Sequence, residues 1–113
     1  MSIDSYSFGR IVINGETYTS DVIIYPGRVD SSWWRKEGHR LQFADVEEAV
    51  QAKPEILVIG TGYDGVMSVP VETIDRIVRL GIEVKVERTS KAVKMYNELQ
   101  HAKTVIAALH ITC

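Results

Sequence analysis

Cysteine is almost missing from this chain: a single thiol, Cys113, occurs in 113 residues. That excludes an internal disulfide framework and a four-cysteine zinc site, and it makes a reducing cytoplasm the expected compartment. An excess of charge of one sign is missing too. With 13 Lys and Arg against 15 Asp and Glu, the formal net charge is −2, so bulk electrostatics gives no reason to expect nucleic acid or an anionic membrane as partner. Long apolar runs are absent as well. Val105 to Leu109 is among the longest, far below the ~20 residues that span a bilayer. The segment Met1 to Arg10 carries Asp4 and no apolar stretch of the kind a secretory signal needs. Catalytic signatures are likewise lacking: there is no GxSxG elbow, no GxxxxGK[ST] loop, no HExxH and no CxxC. His39, His101 and His110 stand at no metal-ligand spacing. The sequence therefore calls for no cofactor, no metal and no catalytic residue.

What is present is a chain of ordinary apolar content, 45%, and of a length that fits one domain over residues 1–113. Ile11 to Ile13 followed by Asn14-Gly15 reads as a β-hairpin, with a return strand from about Glu16 towards Tyr25 that Pro26-Gly27 stops. Residues 28–40 read as a loop with one short strand. Asp45, with Glu48 three residues on, predicts a helix start, with Val46, Ala49 and Val50 on its apolar face and Pro54 as its end. Beyond it the chain alternates. Ile56 to Ile59 is a buried strand closed by Gly60. A helix then runs from Pro70 to Gly81, with Val71, Ile74, Ile77 and Val78 as its buried stripe and Glu72/Arg76 and Asp75/Arg79 as surface pairs. Residues 82–86 form a strand. Thr89 or Ser90 opens a helix with Ala92, Met95, Tyr96 and Leu99 on one side, and residues 104–111 form a last strand.

Strand, helix, strand, helix, strand predicts a mainly parallel sheet. Right-handed crossovers put both helices on one face if the strands follow in sequence order, which leaves the N-terminal antiparallel β segment and the helix from Asp45 to cover the other. The expectation is a three-layer α/β domain.

Gly60-Thr61-Gly62-Tyr63-Asp64-Gly65 is literally GxGxxG after a strand, and Glu87 lies 22 residues beyond Gly65. A true dinucleotide loop opens its helix within the glycines. Here Pro70 stands five residues after the last glycine and would break such a helix, so no NAD or FAD site is expected. Two readings stay open: loop amides that cradle a weakly held anion, with Thr89, Arg35 and His39 around the same cleft, or glycines that only permit a tight turn and close packing. Trp33 and Trp34 are candidates for an interface, since adjacent rings on extended chain point oppositely, or both rings cover a sheet edge. His110, on an apolar strand, reads as a buried, hydrogen-bonded histidine, and its spacing from Cys113 suits no catalytic pair.

Several segments together resemble the Mth938-like domain family: Glu55 to Gly62, Val69-Pro70, Gly81 to Val84, Thr89 with Ala92-Val93, Tyr96-Asn97 with Leu99, and His110 to Cys113. The likeness extends to Phe8-Gly9 and to Trp34 through His39. It implies a small three-layer α/β domain without an established enzyme activity. Some relatives are linked to respiratory complex I assembly and another to adipocyte differentiation, which implies protein partners. Some carry a disulfide, which one cysteine cannot form within a monomer. The expected function is thus a non-enzymatic protein-binding or assembly module. The alternative is a small-molecule or anion-binding protein, with or without turnover, that uses Gly60 to Gly65.

Overall fold

A computed structural model describes all 113 residues. Ile3–Ser7 (β1), Arg10–Ile13 (β2) and Glu16–Tyr18 (β3) form a small antiparallel sheet. Its tight turn is the expected one: Asn14 and Gly15 both have positive φ, 48° and 78°, which matches the right-handed twist of the flanking strands. Asp4 Oδ2 accepts the Gly15 N–H at 2.7 Å and pins the turn. The return strand does not continue to Tyr25. The chain leaves the hairpin after β3, and Val22–Tyr25 (β4) joins a second, five-stranded sheet, with Pro26-Gly27 turning it into Arg28–Asp30 (β5).

The second sheet adds Ile56–Thr61 (β6), Glu83–Glu87 (β7) and Val105–His110 (β8), in the order β5-β4-β8-β6-β7. The last three are parallel neighbours, as their alternation with helices predicts. β4 runs antiparallel to β8, so the sheet is mixed rather than mainly parallel. Its strand order also corrects the placement of the helices. Val71–Val78 (α2) carries the chain from β6 to β7 on one side, and Thr89–Leu99 (α3) carries it back past β6 to β8 on the other. Two right-handed crossovers in opposite directions put their helices on opposite faces.

Side-chain alternation shows the same division. Ile56, Val58, Val105, Ala107 and Leu109 face Ala92, Val93 and Tyr96 of α3 together with Ile3, Ile11 and Ile13 of the small sheet. Leu57, Ile59, Ile106 and Ala108 face Ile77 of α2, Trp33, Met67 and the short helix Glu47–Gln51 (α1). Asn97 of α3 ties the layers on its face: its amide oxygen accepts the Ile3 N–H and its amide nitrogen donates to the Ile3 carbonyl, both at 2.9 Å.

Two helix details differ from expectation. A 3₁₀ turn, Phe43–Val46, precedes α1. Asp45 lies inside that turn as its third residue, and its carboxylate accepts the N–H groups of Gln42 and Lys36, the Gln42 bond closing a capping box on the 3₁₀ turn rather than Asp45 standing as the N-cap of α1. On α2, Val71 and Val78 are exposed, while Thr73 and Ile77 are buried. Thr73 turns inward because its hydroxyl donates to the Leu41 carbonyl, and Arg76 stacks over the Phe43 ring at 3.9 Å.

Candidate functional site

β6 and β7 send their following helices to opposite faces, so the crevice beyond their carboxyl ends is the switch point at which open α/β sheets hold ligands. The glycine loop lies there, strapped to the start of α3. Thr89 Oγ1 accepts the Gly62 N–H at 2.9 Å and donates to the His110 carbonyl, and the Thr89 N–H reaches the Gly62 carbonyl. A Cβ on Gly60 would lie 2.7 Å from Thr89 Oγ1. One on Gly62, at φ +107°, would lie 2.3 Å from the Cys113 carbonyl carbon. The close-packing reading of these glycines is thus visible in atoms. Most loop amides are also occupied: Tyr63 donates to Thr112, Gly65 to Gly62, Val66 to Cys113 and Met67 to Thr61. Thr61 Oγ1 donates to the Glu87 carbonyl, and Gly65 leaves room for the Arg88 side chain.

The other residues expected around this cleft do come together, and they gather about His110. That ring is 5% exposed. Its Nδ1 lies 2.8 Å from Asp21 Oδ2, and Arg35 Nη2 lies 2.8 Å from the same oxygen. A carboxylate oxygen at that distance requires the proton on Nδ1. Arg35 Nη2, 3.1 Å from Nδ1, is then the second donor to the shared Oδ2. Asp21 Oδ1 accepts the Ile111 N–H at 2.8 Å, and Arg35 Nε donates to the Gly38 carbonyl. Burial pushes the Asp21 carboxyl up, but the hydrogen bonds from His110, Ile111 and Arg35 outweigh it and hold the group below its ordinary range. The His39 ring meets that of His110 edge-on, with centroids 5.7 Å apart. Arg35 also lies over the Trp33 ring at 4.6 Å.

This centre is closed. None of the surface cavities touches it. The largest, about 560 Å³, lies at the opposite end of the sheet, between Val50, Lys53, Leu80 and Ile82. No group of three or more His, Cys, Asp and Glu side chains stands close enough to share a metal ion.

The two tryptophans divide. Trp33 belongs to the core, its indole N–H donating to the Asp45 carbonyl at 2.9 Å, whereas Trp34 is 76% exposed. Beside the glycine loop stands a group that the sequence reading did not single out. The Tyr63 ring meets Phe8 edge-on at 6.0 Å and Tyr6 at 6.4 Å. Phe8 and Tyr63 are 53% and 49% exposed. Tyr6 anchors them, its hydroxyl donating to the Ile111 carbonyl at 2.9 Å. Burial first, then the neighbouring Tyr63 and Asp21, raise its pKa to about 12. Asp21 was missed as well. It is one of 15 acidic residues, and only its place before an apolar strand marks it in the sequence.

A family model described as a protein of unknown function (DUF498/DUF598) matches residues 3–110. Among solved structures, the conserved hypothetical protein PH1505 from Pyrococcus horikoshii OT3 is 28% identical over 100% of both chains, with a TM-score of 0.85. The protein MT938 is 28% identical over 99% of this chain and 98% of its own, with a TM-score of 0.83. A Bordetella pertussis protein described as a Mth938-like domain shares the fold at a TM-score of 0.78, with 20% identity over 97% of this chain and 85% of its own. With the family's match running from β1 to the end of β8, the chain belongs to the DUF498/DUF598 family of Mth938-like domains, proteins of unknown function.

Proposed function

We propose that this domain is a docking module for another protein, and that its contact surface is the end of the sheet where β6 and β8 stop. The observation that carries this reading is the Phe8–Tyr63 pair: two half-exposed aromatic rings in edge contact, beside the exposed Val66. They are held on a floor in which the Gly62, Tyr63, Gly65, Val66 and Met67 N–H groups are bonded internally. Exposed aromatic side chains on a rigid base are the usual anchors of protein interfaces, because little conformational freedom is lost when they are covered. Trp34 supplies a further exposed ring, on the segment that packs His39 against His110. No cavity opens beside the pair, which favours a partner surface over a small molecule. The net charge of −2 favours a protein over nucleic acid or a membrane. A lone cysteine fits work in a reducing compartment, the cytoplasm.

The test compares the wild type with the double variant Phe8→Ser, Tyr63→Ser. Both should be monomers by light scattering and unfold at closely similar temperatures. A protein retained in defined stoichiometry by the wild type should be lost with the variant. Wild-type self-association that the variant abolishes would assign the surface to a second copy and refute this reading.

A further inference from the structure

Arg35 and His110 are each about nine-tenths buried or more, yet Arg35 Nη1 and His110 Nε2 have no hydrogen-bond partner within the protein. A buried donor on a charged group left without an acceptor is costly, and such atoms in a native structure call for an explanation. The rest of the cluster is occupied. Asp21 accepts from His110, Arg35 and Ile111, and Arg35 Nε is engaged by Gly38. The two open nitrogens belong to side chains that meet at 3.1 Å, at the sheet end where this class of fold places ligands.

We infer that the Asp21–Arg35–His110 centre binds a small carboxylate, one oxygen on Arg35 Nη1 and the other on His110 Nε2–H. The charge sum selects this class. Asp21 offsets Arg35, so with a neutral imidazole the centre has no surplus to hold an anion. Protonated His110 keeps its Nδ1–H on Asp21, turns Nε2 into a donor and adds one positive charge. Two cations, Asp21 and one monoanion then sum to zero, whereas a dianion would leave a buried charge uncompensated. Guanidinium and imidazolium nitrogens also suit the planar, two-oxygen geometry of a carboxylate.

The ligand is small because no cavity opens onto the centre, and it enters by displacing residues 36–40. These are exposed and outside the strands; entry breaks the bridges of Arg40 with Glu37 and Ser68 and the hydrogen bonds that Gly38 accepts from Arg35 Nε, His39 accepts from Ser68 and Lys36 donates to Asp45. The groups around His110 are Asp21 from the β3–β4 link, Arg35 and His39 from the segment after β5, and Cys113 beyond its own strand. Thr89 of α3 holds its carbonyl, and Tyr6 of β1 holds the carbonyl of Ile111. The carboxylate site rests on the two buried nitrogens and not on the docking reading, although residues 36–40 adjoin Trp34 of that surface.

The experiment titrates nitrogen-15-labelled wild-type protein with formate and with acetate by NMR, with chloride at equal ionic strength as control, near pH 6 and pH 8. Saturable shifts of the Arg35 Nε–H and His110 ring signals are expected with both carboxylates and not with chloride. Apparent affinity should be at least about fivefold higher at the lower pH. Arg35→Lys, which keeps the charge and loses the fork, should weaken binding at least about tenfold. If that variant does not fold, a wild-type crystal grown in formate decides, with a planar two-oxygen density expected on both nitrogens. Shifts that chloride reproduces, affinity unchanged with pH, or a single water bridging the two nitrogens would each overturn the proposal.

Discussion

The two ends of the five-stranded sheet are built in opposite ways. At the carboxyl ends of β6 and β8 the crevice is filled: Gly62 presses on Cys113, Thr89 bridges Gly62 to His110, and Asp21 gathers Arg35 and His110 beneath. At the amino ends, between Pro54 and Ile82, the surface opens into the largest cavity, with apolar walls and the exposed Leu80. The end that α/β topology normally leaves open for a ligand is here a tightly bonded plug with aromatic rings on its rim. Fold class alone would have pointed to an open pocket, and the residues on the fold close it over.

Substitutions at matched positions can break or sharpen this contrast. The largest effect is expected from Gly62→Ala, because its Cβ would meet backbone at 2.3 Å and its φ is +107°. A loss of about 4 kcal/mol or failure to fold should appear in urea unfolding. Gly81→Ala at the other end has an equally left-handed φ, +86°, but nothing within 4 Å, and should lose only about 1–2 kcal/mol. Equal losses would show that the plug is not packed as described.

Next in size is Asp21→Asn, which leaves Arg35 buried without its counter-charge and should cost about 3 kcal/mol at neutral pH. Because the Asp21 carboxyl is held below its ordinary value, its stabilisation is present above the unfolded pKa of about 3.9 and is lost as pH falls through the lower native value. Stability measured from pH 6 downward should therefore fall more steeply in the wild type than in Asp21→Asn.

Thr89→Val strands the Gly62 N–H and the His110 carbonyl together, for about 1–3 kcal/mol. Leu80→Ser, at the open end, should stay within about 0.5 kcal/mol of the wild type.

Much of this contrast was legible in the chain, though unevenly. Local chemistry was readable. Asn14-Gly15 specifies its turn, the β-branched run from Ile56 specifies a strand buried on both faces, and Gly81 specifies the stop of α2. The grouping of the glycine loop, Thr89, Arg35 and His39 belongs to the alternative, ligand-binding reading, which places them around a cleft; they surround a closed centre instead. Strand order was not readable, because nothing local in β8 says that it pairs with β6 rather than β7, and the opposite placement of α2 and α3 follows from that choice alone. The stripe of α2 was misplaced in part, Ile77 being buried as expected, for a related reason: the hydroxyl of Thr73 finds a distant acceptor, Leu41, and turns a polar residue inward at the expense of Val71 and Val78. Asp21 escaped because its partners lie 14 and 89 residues away along the chain.

The proposed docking surface places the partner at the plugged end of the sheet and not at the open one. A photo-crosslinking amino acid placed in turn at Tyr63 and at Leu80, in cells that contain the native partners, tests this directly, since both positions are exposed and lie at opposite ends of the sheet. The prediction is one defined crosslinked protein from position 63 that the added change Phe8→Ser removes, and none from position 80. Crosslinks from position 80 alone would contradict it and move the partner to the open cavity.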